Sequence, residues 1–201
     1  MSEAPRRAEP PSNLNVEGLI RGLERLTGGD DRPGQDNRAA LAGLRRGLGK
    51  EDAPPAALLR EVVPLLPAGN VTQRGRAVAF LVAPLFALHP LSWGDDQRGR
   101  WERNFGASVR RLAQETESAG PERRFMALLD ADADDLGPHL RYLVALLAGA
   151  DRPIPVDWRQ LTWDLLRWER ADREVQRRWA DAFWAARAEA AGEAADEDET
   201  Q

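Results

Sequence analysis

The stretch RAALAGLRRGLGKE, residues 38–51, combines glycines, a lysine and a row of arginines, the residue types that bind phosphate. Two chemistries fit such a composition. A nucleotide loop needs Gly, four residues, then Gly-Lys-Ser/Thr, so that backbone amides ring the phosphates and a hydroxyl holds magnesium. Counting back from Gly49, the first glycine position is Leu44, and the hydroxyl position after Lys50 is Glu51, so the pattern fails at both ends. A helix accounts for more of the residues. Leu41, Leu44 and Leu48 recur at i, i+3 and i+7 and gather on one face, while Arg38, Arg45, Arg46 and Lys50 fall on the other side with no acid among them. The spacing predicts a helix with one dry side and one cationic side, turned to a longer polyanion or simply to solvent.

Other candidate chemistry fails on spacing. His89 in FALHP and His139 in GPHLR have no carboxylate or second histidine at ligand spacing, so both read as capping or packing residues. DADADDLG resembles a calcium loop, but counting from Asp130 the sixth position is Asp135 instead of Gly and the twelfth is Arg141 instead of Glu. These aspartates read as helix caps. Seven tryptophans raise the question of base stacking, yet Trp158, Trp168 and Trp179 lie on apolar stripes and belong to a core. No catalytic constellation remains, and the reading is a non-enzyme without metal or cofactor.

Basic residues recur in pairs instead. Arg45 and Arg46, Arg110 and Arg111, Arg123 and Arg124, and Arg177 and Arg178 are adjacent, joined by Arg74 and Arg76 at the start of an apolar segment. Neighbours on a helix diverge by about 100°, so one member of each pair can face a common groove. A surface of that kind, without base-reading motifs, suits contact with a nucleic-acid backbone.

Composition bounds the setting. The 201 residues suffice for one domain with a sizeable core, and the absence of cysteine excludes disulfides, thiolate metal sites and a cysteine nucleophile. MSEAPRRAEPPSN lacks the apolar core of a signal peptide, and no apolar run is long enough to span a bilayer, so a soluble cytoplasmic protein without membrane contact is expected. The formal charge is −5, but from Ala188 onward Glu189, Glu193, Asp196, Glu197, Asp198 and Glu199 add six acids and no base. Without them 28 basic residues face 27 acidic ones, so any basic surface is a local patch. All but Lys50 of the basic residues are arginines. Codon bias alone produces such a preference; arginine nonetheless brings a planar fork that grips phosphate with two hydrogen bonds.

Helical spacing runs through nearly the whole chain. Leu19, Ile20, Leu23 and Leu26 form a first set that stops at Gly28 and Gly29, and GGDDRPGQ reads as a loop. After the stretch at 38–51, a third helix runs from about Ala56 to Leu66, and Pro67, Gly69 and Asn70 end it. Thr72 caps a fourth, TQRGRAVAFLVAPLFALHP, apolar enough to be the central buried helix and expected to kink at Pro84. LSWGDDQRGRW is a loop or short helix. Ser108 to about Glu117 is helical, and Pro121 opens a segment burying Phe125, Leu128 and Leu129. Asp134 or Asp135 caps a helix with Pro138 in its first turn and Leu140, Leu143, Leu146 and Leu147 buried. Asp157 caps another, in which Trp158, Leu161, Leu165 and Trp168 share a face, and Val175, Trp179, Phe183 and Ala186 form the last stripe. Strand-like alternation is absent. The expected fold is an all-α, compact single-domain bundle of about eight to ten helices over residues 14–187, between a disordered N-terminal segment (1–13) and a disordered acidic tail (188–201).

In their order RAALAGLRRGLGK, LFALHP, NFGASVRRLA, PERRFMALLDADADDLGPHLRYLVALL and VDWRQLTWDLLRWERADREVQRRWADAFW, residues 14 to 187 resemble the CasB family, the small subunit of the type I-E CRISPR surveillance complex Cascade. The resemblance implies a non-catalytic helical protein, present as two copies along the belly of a crRNA-guided complex. There it would touch the large subunit and the repeated backbone subunits, and hold the target and displaced DNA strands of an R-loop. The family's basic positions fall on Arg45, Arg46, Arg74, Arg110, Arg111, Arg123, Arg124 and Arg141, to which the residue pattern adds Lys50 and Arg76. Tyr142 and Asp130 stand where the family can carry further bases, and the acidic tail lies outside the resemblance. The residues by themselves leave a second reading open, a helical protein–protein interaction module without nucleic-acid contact.

Overall fold

Past its first turn, the segment QRGRAVAFLVAPLFAL is apolar on all sides, and such a helix is stable only when other elements surround it. In the computed structural model this is what happens. The structure describes residues 13–27, 35–50, 53–69, 71–93, 103–116 and 118–185, and among them lie nine α-helices. They are α1 (Val16–Arg25), α2 (Gln35–Arg45), α3 (Ala56–Val62), α4 (Gln73–Leu88), α5 (Phe105–Thr116), α6 (Ala119–Asp130), α7 (Leu136–Ala148), α8 (Trp158–Leu166) and α9 (Glu174–Ala180). A π-turn, Asp181–Ala185, continues α9. The only strand-like feature among the described residues is an isolated bridge between Ser92 and Val156, so the all-α expectation holds.

Helix α4 is the axle: Val78 to Ala87 are buried without a break, Pro84 included, and α1, α2, α3, α7 and α8 all pack on it. Thr72 caps it as expected, accepting the Gly75 N–H at 3.1 Å. A second layer forms where α5 meets α6, α7, α9 and the π-turn. Asp157 caps α8 by accepting the Gln160 N–H at 2.9 Å. Trp158, Trp168 and Trp179 are buried, so the stripes that carried them are core stripes.

Three local expectations are corrected. Helix α2 ends at Arg45, and residues 46–49 turn, with Gly49 at φ +73°. Gly47 lets Leu58 press against this turn, where a Cβ would collide with its methyl groups. Helix α5 begins at Phe105 rather than Ser108, because Asn104 accepts the Ala107 N–H through its side chain at 3.3 Å. Asp135 stands at the cap of α7 but makes no side-chain cap bond; a 3-10 turn, Ala133–Asp135, leads into the helix instead. The expected loop at 28–34, most of LSWGDDQRGRW, Glu117, Ala186, the first twelve residues and the acidic tail lie outside the described residues.

The C-terminal helices are held by one buried carboxylate. Asp164 on α8 is fully buried and accepts the Trp179 indole N–H at 2.7 Å, an Arg178 guanidinium N–H at 2.7 Å and the Gln160 amide at 2.8 Å. Burial pushes its pKa up, and the Trp179 and Arg178 contacts oppose that push. Gly106 completes the arrangement, since a Cβ there would strike the Trp179 carbonyl.

His89 ends α4 with its Nε2 2.7 Å from the Ile154 carbonyl, so this nitrogen carries the proton and donates. Both histidine and carboxylate yield predictions. Replacing Asp164 by Ala leaves the buried Trp179 indole N–H without its acceptor and the partly exposed Arg178 with Glu174 as its ion-pair partner, and should lower unfolding free energy by about 1–3 kcal/mol in urea titrations. Burial holds the His89 pKa below its ordinary 6.5, with the Ile154 bond a smaller opposing effect. The unfolded chain therefore binds a proton that the folded one refuses, and this contribution to stability is full above 6.5 and falls as pH drops through 6.5 toward the lowered value. In His89→Gln, whose amide can still donate to Ile154, the urea midpoint should lose that part of its pH dependence.

Candidate nucleic-acid interface

Adjacent basic residues have different fates in the fold. Arg45, on the last turn of α2, donates from Nε to the Ala87 carbonyl at 2.6 Å and so ties α2 to the end of α4. Its neighbour Arg46 is exposed on the following turn, as is Lys50. Arg74 lies along α8, donating to the Leu165 carbonyl at 2.6 Å with Glu169 at 3.9 Å, and its side chain is only 14% exposed. Two residues on, Arg76 is exposed. Arg123 is exposed on α6, whereas Arg124 folds back to donate to the Gly120 carbonyl at 3.3 Å and places its guanidinium 4.1 Å from the Tyr142 ring centre. Arg110 is half-buried between α5 and α6, and Arg111 stacks 4.8 Å from the centre of the Trp93 ring.

The turn after α2 brings two distant segments together. The Arg141 guanidinium crosses Gly49 in contact with its backbone, at the place a Cβ would occupy. Gly49, Arg74 and Arg141 then line one cavity of about 290 Å³, with Val78, Leu81 and Leu136 below and Asp134 at the rim. Arg46 and Lys50 flank the same turn in sequence. A second centre is Trp93, which carries Arg111 on its ring and Arg103 at 5.1 Å. Sequence reasoning missed Arg103 and Trp93, because Trp93 belongs to no helical stripe and only the fold brings α5 across it. It also treated Tyr142 merely as a missing base, whereas the tyrosine holds Arg124 in place.

Charge balance separates these residues from the rest. Among the described residues, ion pairs engage Arg60, Arg159, Arg170, Arg173 and Arg178, and of the ten candidate residues only Arg74. None of the other nine has an ion pair with a described residue, although Arg45 and Arg124 donate to backbone carbonyls. The contacts with Trp93 and Tyr142 restrict the rotamers open to the Arg111 and Arg124 guanidinium groups. No group of three or more metal-ligating side chains comes together among the described residues, and His89 is spent on a backbone carbonyl. Among the same residues no helix is long and apolar enough to cross a membrane.

This arrangement has relatives. Residues 40–184 match the family model of CRISPR-associated protein Cse2, and a Cse2 protein of Thermus thermophilus is 39% identical over 157 residues, 74% of this chain and 80% of that one. The chain belongs to the Cse2 family. The crystal structure of M. ruber CasB superposes on the Cse2 chain described here with a TM-score of 0.68 at 32% identity, covering 87% of this chain and 97% of that one. A chain from a CRISPR RNA-guided surveillance complex shares the Cse2 fold at 24% identity, with a TM-score of 0.65 over 89% of this chain and 96% of that chain.

The two arginines at the start of α4 provide a direct check on the division between structural and free cations. Arg74→Ala leaves the Leu165 carbonyl without its charged donor and should cost about 1.5–3 kcal/mol in chemical denaturation. Arg76→Ala, an exposed change with no side-chain partner among the described residues, should stay within about 0.5 kcal/mol of the parent.

Proposed function

We propose that this Cse2-family chain is the non-catalytic small subunit of a type I-E crRNA-guided surveillance complex. In that complex it holds the target and displaced DNA strands through arginine-lined surfaces and so stabilises the R-loop in antiviral defence. The observation that carries the reading is the set of cations with no ion pair among the described residues: Arg46, Lys50, Arg76 and Arg123 in the open, and Arg111 and Arg124 set against aromatic rings. Family membership and the shared fold of a chain from a CRISPR RNA-guided surveillance complex support it. The partners in this reading are the large subunit, the repeated backbone subunits, a second copy of the chain and the DNA strands, with RNA contact through the guide-bearing assembly, in the cytoplasm.

The energetics suit a modest contribution from each residue. Guide–target pairing is nearly balanced against the DNA duplex it replaces, so a few backbone contacts decide whether the R-loop stays open. Backbone contacts also tolerate any target sequence, as a guide-programmed complex requires. Arg45 and Arg74 serve this surface indirectly, by fixing the ends of α2 and α8 through backbone carbonyls.

A reconstituted complex tests this directly. With Arg46, Lys50 and Arg123 all replaced by Glu, the isolated subunit should keep its urea midpoint, since none of the three has a partner in the described fold. Its affinity for single-stranded DNA should fall and the salt slope flatten by about 0.7 log unit per contact removed. R-loop lifetime on the assembled complex should shorten in parallel. Unchanged lifetime and slope, with normal assembly, would reduce the chain to a protein–protein module; failure of the parent chain to co-purify with guide RNA and the other subunits would remove it from the complex altogether.

A further inference from the structure

The chain has a single tyrosine, and the fold leaves it at the surface. Tyr142 stands in the middle of α7 and is 45% exposed, although its neighbours Leu140, Leu143 and Val144 are buried. Its ring is held by a cation from the next helix. The Arg124 guanidinium of α6 lies 4.1 Å from the ring centre, and one of its N–H groups donates to the Gly120 carbonyl at 3.3 Å. No ion pair among the described residues includes Arg124 or its exposed neighbour Arg123. An open aromatic surface and a cation without a counter-charge thus meet at the seam of α6 and α7.

The acids of these two helices stand away from the ring. Helix α7 carries Arg141 and no acid, and Asp135 before it is two turns from Tyr142, about 10 Å along the axis. Of the two acids of α6, Glu122 diverges from Arg124 by about 200° and accepts the Trp184 indole N–H at 2.9 Å. The other, Asp130, closes the far end of the helix 3.8 Å from Arg173. Aromatic surface takes a flat, apolar group by stacking, and a guanidinium takes a phosphate. A nucleotide of a single strand brings both within one unit.

We infer that Tyr142 is a stacking platform for an unpaired nucleobase of single-stranded DNA, with the adjoining phosphates set against Arg124 and Arg123. The inference rests on the reading of the chain as a DNA-strand binder and adds to it a contact that charge alone does not supply. Bases of a duplex are stacked on each other and cannot use the ring, whereas every unpaired base has a face to offer. The site therefore separates single strand from duplex without reading sequence. Arg124 acts twice, restraining the ring and keeping further N–H groups for phosphate.

The single tyrosine makes the test direct. With meta-fluorotyrosine in place of tyrosine, the full chain carries one fluorine probe, at Tyr142. An oligo(dT) strand should move its NMR resonance through the ring current of the stacked base, and an abasic strand with the same number of phosphates should not. In binding titrations at one salt concentration, the parent should hold oligo(dT) about five- to tenfold tighter than the abasic strand. Tyr142→Leu should lose that margin and keep the salt slope, because no charge is removed, and Tyr142→Trp, which retains a stacking face, should keep both. The fluorine measurement uses the unsubstituted fold, so it decides the matter even where a variant folds poorly. Equal affinity for the two strands, with the resonance unmoved by oligo(dT), would overturn the inference and leave the phosphate contacts standing alone. Tighter binding of oligo(U) than of oligo(dT) would overturn the assignment to DNA. Absence of binding to any strand would overturn both this inference and the DNA reading on which it rests.

Discussion

One buried carboxylate organises the C-terminal half of the molecule. Asp164 accepts hydrogen bonds from Trp179, Arg178 and Gln160 while fully buried, so α8 and α9 are locked by a group that is costly unless every donor is present. With Trp179 held, its ring packs against Trp168 at 5.1 Å and Phe105 at 5.3 Å, and its backbone lies where Gly106 lets α5 approach. Asn104 donates to the Arg178 carbonyl at 2.9 Å, and Ser108 to the Pro155 carbonyl at 2.8 Å. The NFGAS stretch is therefore the docking strip of α5. By holding α5, it sets the direction of Arg110 and Arg111 one turn later.

The same economy operates on the other side of α4. Arg45, Arg74 and His89 each reach a carbonyl at or near a helix end or its flanking loop, at Ala87, Leu165 and Ile154. Carbonyls in the last turn of a helix have no partner within it, and a cationic or N–H side chain is the natural donor there. These bonds span 42 to 91 residues of sequence, so they fasten segments that have no local reason to meet. A cation used in this way adds to the rigidity of the segment it reaches.

The candidate basic residues without an ion pair among the described residues form a discontinuous set on α2, α4, α5, α6 and α7 and the turn after α2, with Arg111 and Arg124 set against aromatic rings. Discontinuity suits a flexible polyanion better than a small molecule, because a strand can bridge gaps that a nucleotide cannot. Electrostatic contacts from such residues to a polyanion are individually weak and collectively salt-dependent.

The helical periods, the caps at Thr72 and Asp157, the central apolar helix and the tryptophan stripes were legible in the amino-acid sequence, since each depends on neighbours within one or two turns. So was the absence of phosphate-loop, calcium-loop and histidine-ligand spacing. Which basic residues stay free was not legible. Arg45 and Arg46, or Arg74 and Arg76, are equivalent in local pattern, and the difference arises only when a carbonyl from a distant segment comes within reach of one and not the other. Trp93 between Arg103 and Arg111, Arg141 lying over Gly49, and the carboxylate of Asp164 beneath Trp179 are products of the same long-range packing. Local spacing determined the helices and the stock of charges; tertiary contact decided which charges the fold consumes, because hydrogen-bond partners are assigned by distance in space and not along the chain.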